Sequence, residues 1–457
     1  MGRKYDFDYI IIGSGPAGST AALTLAKSKK RIALVEDRYF GGSNLNTRDI
    51  PYNIALDFAH TYHKISYSPE FVHQDFSFSF PAIITHQTKT IIESGGGSTK
   101  QLSGNHKIVC LHGHVNFLDN NTIAVDSQKF TSQFFIIATG SQPNISTIAG
   151  VDMVNCLTPE TAIKIRRLPK AALIIGGGST GCEIAEYYAK LGAKVLIMEQ
   201  SNRILPHEDK EVSATITDYF ANELGIMVLP GCKVVALEQD DTSKRVIFLD
   251  NRTEKMVRVD CIVLATGSHP NTDLGLENAK VKYTTSGIKV DKFFQTSAKN
   301  IYAIGDCIGG NSSTELANYE GKLLATNLTS KARSIINYSG FARTTSTHPA
   351  IVTIGLNEND LIQHKRKYSK SIFYLKDTPA GKIFHTQYGF VKLLADHTNH
   401  IIGGCIVAPN AESMSGELAL VVRHKIAAIE LASTPHIANN FSYAIKLAAE
   451  KIVKHKK

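Results

Sequence analysis

Apolar residues along this chain gather in short unbroken runs that stop at glycine. "YIIIG" at 9–13 is one such run, and "RIALVE" at 31–36 is the next. Unbroken runs of this length mark strands buried on both faces, as in parallel sheets. The stretch between them predicts a helix that opens at the glycine turn and runs to about Lys29. The same order of strand, glycine turn, helix and strand returns at 170–200, "KAALIIGGGSTGCEIAEYYAKLGAKVLIMEQ". Two more apolar strands end in Ala-Thr-Gly: "FFIIATGSQPN" at 134–144 and "CIVLATGSHPNT" at 261–272. They are expected to mark where the chain passes between domains. "NIYAIGDCIGG" at 300–310 predicts a strand ahead of a helix around 314–330. Beyond 389 strands alternate around a turn at "DHTNH", and an amphipathic segment follows at 416–432. Strands interleaved with helices make the fold class α/β.

The glycines give this pattern its chemistry. Gly13, Gly15 and Gly18 form G-x-G-x-x-G. The first makes the turn, the second lets backbone approach a pyrophosphate, and the third lets helix pack on strand. Glu36 ends the second strand, where a carboxylate can accept two ribose hydroxyls. Gly176, Gly178, Gly181 and Glu199 repeat the arrangement. Two such units imply two dinucleotides. Glu199 favours NADH over NADPH, because a carboxylate repels a 2′-phosphate; Arg203 is the one nearby base that opposes it. At the strand end Gly305-Asp306, the carboxylate can hold a sugar-chain hydroxyl while the following helix N-terminus faces flavin or phosphate.

The 457 residues suggest about three domains. No run reaches the roughly 18 apolar residues of a membrane span. The N-terminus enters a strand without a signal-peptide cleavage region, so the protein is expected to be cytoplasmic. Seven scattered cysteines, at 110, 156, 182, 232, 261, 307 and 405, form no C-x-x-C and no metal-ligand spacing, so no metal site is expected. The formal charge of +9 is dispersed apart from 364–370 and the tail 451–457. Solvated surface is therefore the expected reading, not nucleic-acid binding, and the positive field would draw anionic dinucleotides.

In these motifs, and in order over essentially its whole length, the chain resembles the FAD-dependent pyridine nucleotide–disulfide oxidoreductases. "GSGPAG", with Pro16 and Ala17, is similar to that family's FAD pyrophosphate loop. "GGGSTGCE", with Ser179, is similar to its NAD(P)H loop, and "YAIGD" to its second FAD motif. By the same resemblance "SST" at 312–314, with Thr314, falls against the flavin. Gly42, Ser43, the turn Ala138-Thr139-Gly140 and Gly267 join the expected cofactor-binding set. The resemblance implies two Rossmann-like dinucleotide-binding domains plus a C-terminal α+β dimerisation domain. The expected bounds are 1–143 with 269–340 for FAD, 144–268 for NAD(H) and 341–457 for dimerisation. It also implies a homodimer whose active sites are finished by the partner's C-terminal residues.

The stretch "GGSNLNTRDIPYN" at 41–53 departs from that family. Its two redox cysteines are replaced by Asn44 and Asp49. Its lysine near flavin N5 falls at Tyr52 or Asn53. The acid that partners this lysine remains as Glu183, and the aromatic gate over the nicotinamide is Ser179. The C-terminal His–Glu dyad falls at Ala438 and Tyr443, with His436 two residues early. Thiols, acid–base pair and lysine are thus lost together. Asn44, Arg48, Asp49 and Glu183 become the candidate catalytic residues. Asp49 is read either as part of a polar plug in the old disulfide space, the preferred choice, or as a proton donor. The preferred function is an NADH-dependent flavoprotein reductase that passes electrons to a small-molecule acceptor (quinone, dye, oxygen) or a partner protein. One alternative is a catalytically degenerate binding or sensing protein. Another is a thiol reductase using a displaced cysteine such as Cys307.

Overall fold

The computed structural model describes residues 4–67, 77–104, 108–145, 148–240, 243–310 and 313–454. Its contacts divide the chain into two compact units.

The first unit takes the chain up to Ala55, then Ser79–Asn144 and Gly267–Asn337. Its sheet runs in the order Ile108–His112, Ile32–Glu36, Phe7–Ile12 and Gln128–Ile137, all parallel, with Ile301–Ala303 also pairing to the last. Ile11 faces Leu34 on one side and Ile136 on the other. Both faces are covered. Tyr9, Ile11, Ala21, Leu25 and Leu324 pack on one, and Ile10, Ile12, Val35, Phe117 and Ala303 on the other. That two-sided burial is why the strand reads as an unbroken apolar run.

The first helix is Pro16–Leu25 and stops four residues short of Lys29. Lys27, Lys29 and Lys30 are exposed and offer no apolar face to bury. The end is tightened by Lys27 N–H on Thr24 O and Ser28 N–H on Leu25 O. The helix Thr314–Thr329 packs on the first so closely that a Cβ at Gly321 would lie 2.3 Å from Ala17 O. The two Ala-Thr-Gly turns zip together. Ser141–Pro143 runs antiparallel to Ser268–Pro270, and Thr139 and Asn271 exchange side-chain bonds with each other's carbonyls.

The second unit takes 56–78, 145–266 and the chain from Tyr338 onward. A parallel sheet runs Met227–Pro230, Lys194–Glu199, Ala171–Ile175, Cys261–Leu264, beside an antiparallel three-stranded sheet of residues 232–259. The C-terminal portion is a five-stranded antiparallel sheet. Its order is Ala342–Thr345, Ala350–Gly355, Ile401–Ala408, Phe390–Ala395 and Ser369–Tyr374. Helices Ala411–Arg423 and Tyr443–Lys454 pack their apolar sides into its core. The "DHTNH" turn closes a hairpin there, with Asp396 N–H donating to His400 O and Asn399 left-handed at φ 65°.

Within this unit the fully buried Lys392 meets Asp209 and Glu211 at 2.8 Å each, and Glu358 as well. The three carboxylates stand close enough together to suggest a cation, and the lysine ammonium fills that place. Burial works against its charge, but the carboxylate hydrogen bonds outweigh it and hold the lysine pKa above its usual value. Among the described residues no helix is long and apolar enough to cross a membrane.

Candidate functional site

At the first glycine turn Gly13 has φ 101°, and a Cβ there would fall 2.3 Å from Ala138 O. A Cβ on Gly18 would strike Gly13 O at 1.9 Å. These two positions accept only glycine. Gly15 is the opposite case, because its Cβ direction is open with no atom within 4 Å. It caps the helix Pro16–Leu25 without a side-chain bond, and the N-terminus of a helix offers N–H groups to an anion. Residues of this kind fit a pyrophosphate.

Glu36 is buried. Its Oε2 accepts from Ser14 N (2.9 Å) and Ser14 Oγ (2.6 Å), and its Oε1 from Arg38 N (3.0 Å). Ser14 Oγ in turn accepts from Gly41 N at 3.1 Å. Glu36 therefore also braces the turn against the Gly41-Gly42 pair, and a Cβ on Gly42 would lie 2.5 Å from Gly15 Cα. Asp306 accepts from Ser141 Oγ at 2.9 Å. Gly305 N–H donates to Glu320 at 2.7 Å. Glu320 is buried on the helix Thr314–Thr329, and the sequence reading missed it because nothing local marks a carboxylate 15 residues on as the turn's anchor.

The second turn repeats the first. A Cβ on Gly176 would lie 2.3 Å from Ala265 O, one on Gly181 2.0 Å from Gly176 O, and Gly178 again faces open space. Glu199 accepts from Gly177 N and Ser201 N at 2.7 Å each. Arg203, the opposing base, donates to Pro206 O at 3.0 Å and Glu208 O at 2.8 Å. On the helix Ser179–Lys190, Ser179 Oγ accepts from Thr345 Oγ1 at 2.8 Å and Glu183 accepts from Ser346 N at 2.8 Å. Gly267 has φ 88° and its carbonyl accepts from Asn144 N.

The stretch 41–53 forms the short helix Gly42–Asn46 and the start of the helix Asp49–Tyr67. The buried Asn46 side chain donates to Phe40 O and Gly42 O, which fixes the first turn. Asn44 Nδ2 then donates to Asp49 Oδ2, and to Thr314 Oγ1 at 2.5 Å. Thr314 Oγ1 donates to the same Asp49 oxygen at 2.7 Å. The three side chains close a hydrogen-bonded triangle. Asp49 lies in the first turn of its helix, where the N-terminal dipole favours a carboxylate. In both bonds an Asp49 oxygen is the acceptor. Ser312, the first residue of the "SST" stretch, lies outside the described residues, as do tail residues 455–457. Tyr52 is buried and Asn53 exposed.

All seven cysteines are free thiols, and none stands before Cys110. Cys307 is fully buried with its Sγ donating to Ile304 O at 3.1 Å, and burial pushes its thiol up to about 12. At the C-terminal end His436 Nε2 meets Glu417 Oε1 at 2.6 Å, with Nδ1 on Thr434 O at 2.9 Å. The sequence reading passed over Glu417, which lies 19 residues upstream on the helix Ala411–Arg423, whereas His436 stands in the loop before the last helix.

Two glycine-turn Rossmann folds, followed by a C-terminal sheet covered by helices, define a class of protein built to bind two dinucleotides. The family model described as pyridine nucleotide-disulphide oxidoreductase matches residues 7–321, and that family's dimerisation domain matches 341–449. The chain is 31% identical over 430 residues to a dihydrolipoyl dehydrogenase of Chlamydia pneumoniae, covering 92% of this chain and 91% of that protein. It is 28% identical over 449 residues to a mercuric reductase of Lysinibacillus sphaericus, covering 97% and 82%. Its fold is that of the Cu(II) complex of the HOCl-induced flavoprotein disulfide reductase RclA from Escherichia coli, with TM-score 0.87 at 22% identity over 99% of this chain and 100% of that one. The chain belongs to the pyridine nucleotide-disulphide oxidoreductase family and is an FAD-dependent NAD(P)H oxidoreductase.

Proposed function

We propose that this protein is an NADH-dependent flavoprotein reductase whose reduced flavin passes electrons to an acceptor that is not a disulfide. The observation that carries this reading is the Asn44–Asp49–Thr314 triangle, which fills the stretch where the family keeps its cysteine pair. Bound FAD would supply a ring that accepts hydride and releases electrons singly or in pairs. Gly13, Gly15, Pro16, Ala17 and Gly18 would hold its pyrophosphate at the helix N-terminus. Glu36 would take the ribose, Asp306 the ribityl chain, and Gly42, Ser43, Thr314 and the Ala138-Thr139-Gly140 turn would border the rest. Gly176, Gly178, Ser179 and Gly181 would receive NADH. Glu199 would take its ribose hydroxyls, and two backbone carbonyls hold Arg203 Nη2, which tethers the one nearby base. The region 341–457 would pair two copies into a homodimer.

The displaced-thiol alternative loses support from Cys307, because a buried thiol held near 12 supplies no thiolate at neutral pH. Anaerobic titration with NADH tests the proposal against the degenerate-binder alternative. The flavin band should bleach with two electrons per FAD and no long-wavelength thiolate-to-flavin band. Lipoamide and glutathione disulfide should not turn over, while quinone or dye reduction should survive alkylation of all seven cysteines. An unbleached flavin would favour the binder. A charge-transfer band, or alkylation-sensitive disulfide reduction by folded protein, would overturn the reading.

A further inference from the structure

We propose that Asp49 selects the electron acceptor by charge, favouring cationic acceptors over anionic ones. The inference rests on the reductase reading above and deepens it.

Asp49 is exposed, and its Oδ2 takes hydrogen bonds from Asn44 and Thr314 at once. Two donors on one oxygen fix where the carboxylate stands. Both donors are neutral, so they steer the charge without cancelling it. The triangle also borders the first nucleotide turn. Gly42 opens the helix that carries Asn44 and abuts Gly15, and Thr314 opens the helix that packs on Ala17. A thiol pair in this stretch would relay electrons through a covalent bond. A fixed carboxylate has no such chemistry and acts through its field. It attracts an approaching cation and repels an anion. Arg48, the next residue back, opposes it, and the whole chain is positive at +9. The proposal is therefore about the change that Asp49 makes, which only a comparison between variants isolates.

The size follows from Coulomb's law. A unit charge about 8 Å from a trivalent ion, in water with screening at roughly 0.1 M salt, alters the ratio of rates for a 3+ and a 3− acceptor by about tenfold. Hexaammineruthenium(III) and ferricyanide are such a pair. Two equivalents of either complex are reduced for each reduced flavin oxidised, one electron apiece, and two protons pass to water.

The experiment uses the FAD-loaded protein, reduced anaerobically by light instead of NADH and mixed with each complex in a stopped-flow instrument. The ruthenium-to-ferricyanide ratio of rate constants should fall about tenfold in Asp49→Asn, and equally in Asp49→Ser. Asp49→Glu should hold the wild-type ratio within about threefold, and the differences should shrink by 0.5 M salt. A ratio within twofold of wild type in both neutral variants would overturn the proposal, as would a change that persists at high salt. Light reduction keeps the two readings separable. Failure of NADH to bleach the flavin would sink the reductase reading alone, and an unchanged ratio would sink the Asp49 inference alone.

Discussion

Glu199 performs two tasks with one carboxylate. Its oxygens each take a backbone N–H, from Gly177 and from Ser201, which orders the turn that would receive the nicotinamide dinucleotide. On the proposed reading the same charge would disfavour a 2′-phosphate. Glu199→Gln keeps acceptor capacity for one of the N–H bonds and removes the charge. The NADH-to-NADPH ratio of kcat/KM for flavin reduction should fall by about tenfold, the equivalent of ~1.4 kcal/mol. Stopped-flow reduction with both nucleotides checks it; an unchanged ratio would mean that the carboxylate is only a brace. At this scale the sequence was informative where chemistry is local. The glycines, Glu36 and Glu199 each stand out within a single stretch, whereas the replaced cysteines are visible only against the family pattern. Thr314, 270 residues from Asn44, was placed only through the family resemblance, and its bond to Asp49 was not legible at all. Glu320 and Glu417 escaped for the same reason, since a hydrogen bond across the fold leaves no spacing to detect.

The helix Asp49–Tyr67 shows what an element adds. Its later half, inside the second unit, sets His60 on His348 with ring centroids 3.7 Å apart. Lys190 Nζ stands 3.3 Å from His60 Nδ1 and is paired to Glu186 at 2.6 Å, while His348 N donates to both Glu186 oxygens. An ammonium donor requires a lone pair on His60 Nδ1, so the ring is neutral there. Burial, then Lys190, lowers His60 to about 4, and burial, then His60 and Lys190, lowers His348 to about 2. His63 is also held near 4, with Lys64 adding to the positive surroundings of His60. The folded state thus binds fewer protons than the unfolded chain, whose histidines titrate near 6.5. Stability should be whole above about pH 6.5 and drain as pH falls towards 4. Carboxylates titrate in the same window, so the informative quantity is a difference. The Tm of His60→Gln should fall less steeply between pH 6.5 and 4 than that of the wild type; parallel slopes would show that the stack is not linked to protons. Element ends were less legible than element order. The first helix stops at Leu25 and not near Lys29 because the lysines that follow it offer no apolar face to bury.

At the scale of the whole molecule, two features concern cohesion. Lys392 ties Asp209 and Glu211, at the start of the helix Lys210–Glu223, to Glu358 before the C-terminal sheet's middle strands. Lys392→Met would take the buried ammonium from three carboxylates, of which Glu358 and Glu211 keep Lys370 at 2.9 and 3.6 Å, and should cost about 3–5 kcal/mol in chemical denaturation. A loss under about 1 kcal/mol would mean that water replaces the ammonium. The second feature is apolar surface. Ile383, Phe384, Leu420, Ile429 and Ile437 are all more than half exposed in a single chain, and Ile437 reaches 74%. These residues lie in the region matched by the family's dimerisation domain. Light scattering at micromolar concentration should give twice the chain mass, and a monomer would overturn the homodimer.

The strand Ile301–Ala303 joins its sheet by pairing with residues 135–137. For a chain emerging from the ribosome, that pairing is delayed. The edge presented by Ile136 and Ile137 exists long before its neighbour has been translated, because the intervening residues must be made first. At ordinary elongation rates the wait is roughly ten to thirty seconds. During it an apolar strand edge stands open to other nascent chains. Yield of folded protein should therefore rise with chaperone supply and respond to translation speed, and yields unchanged by both would show that the open edge is harmless.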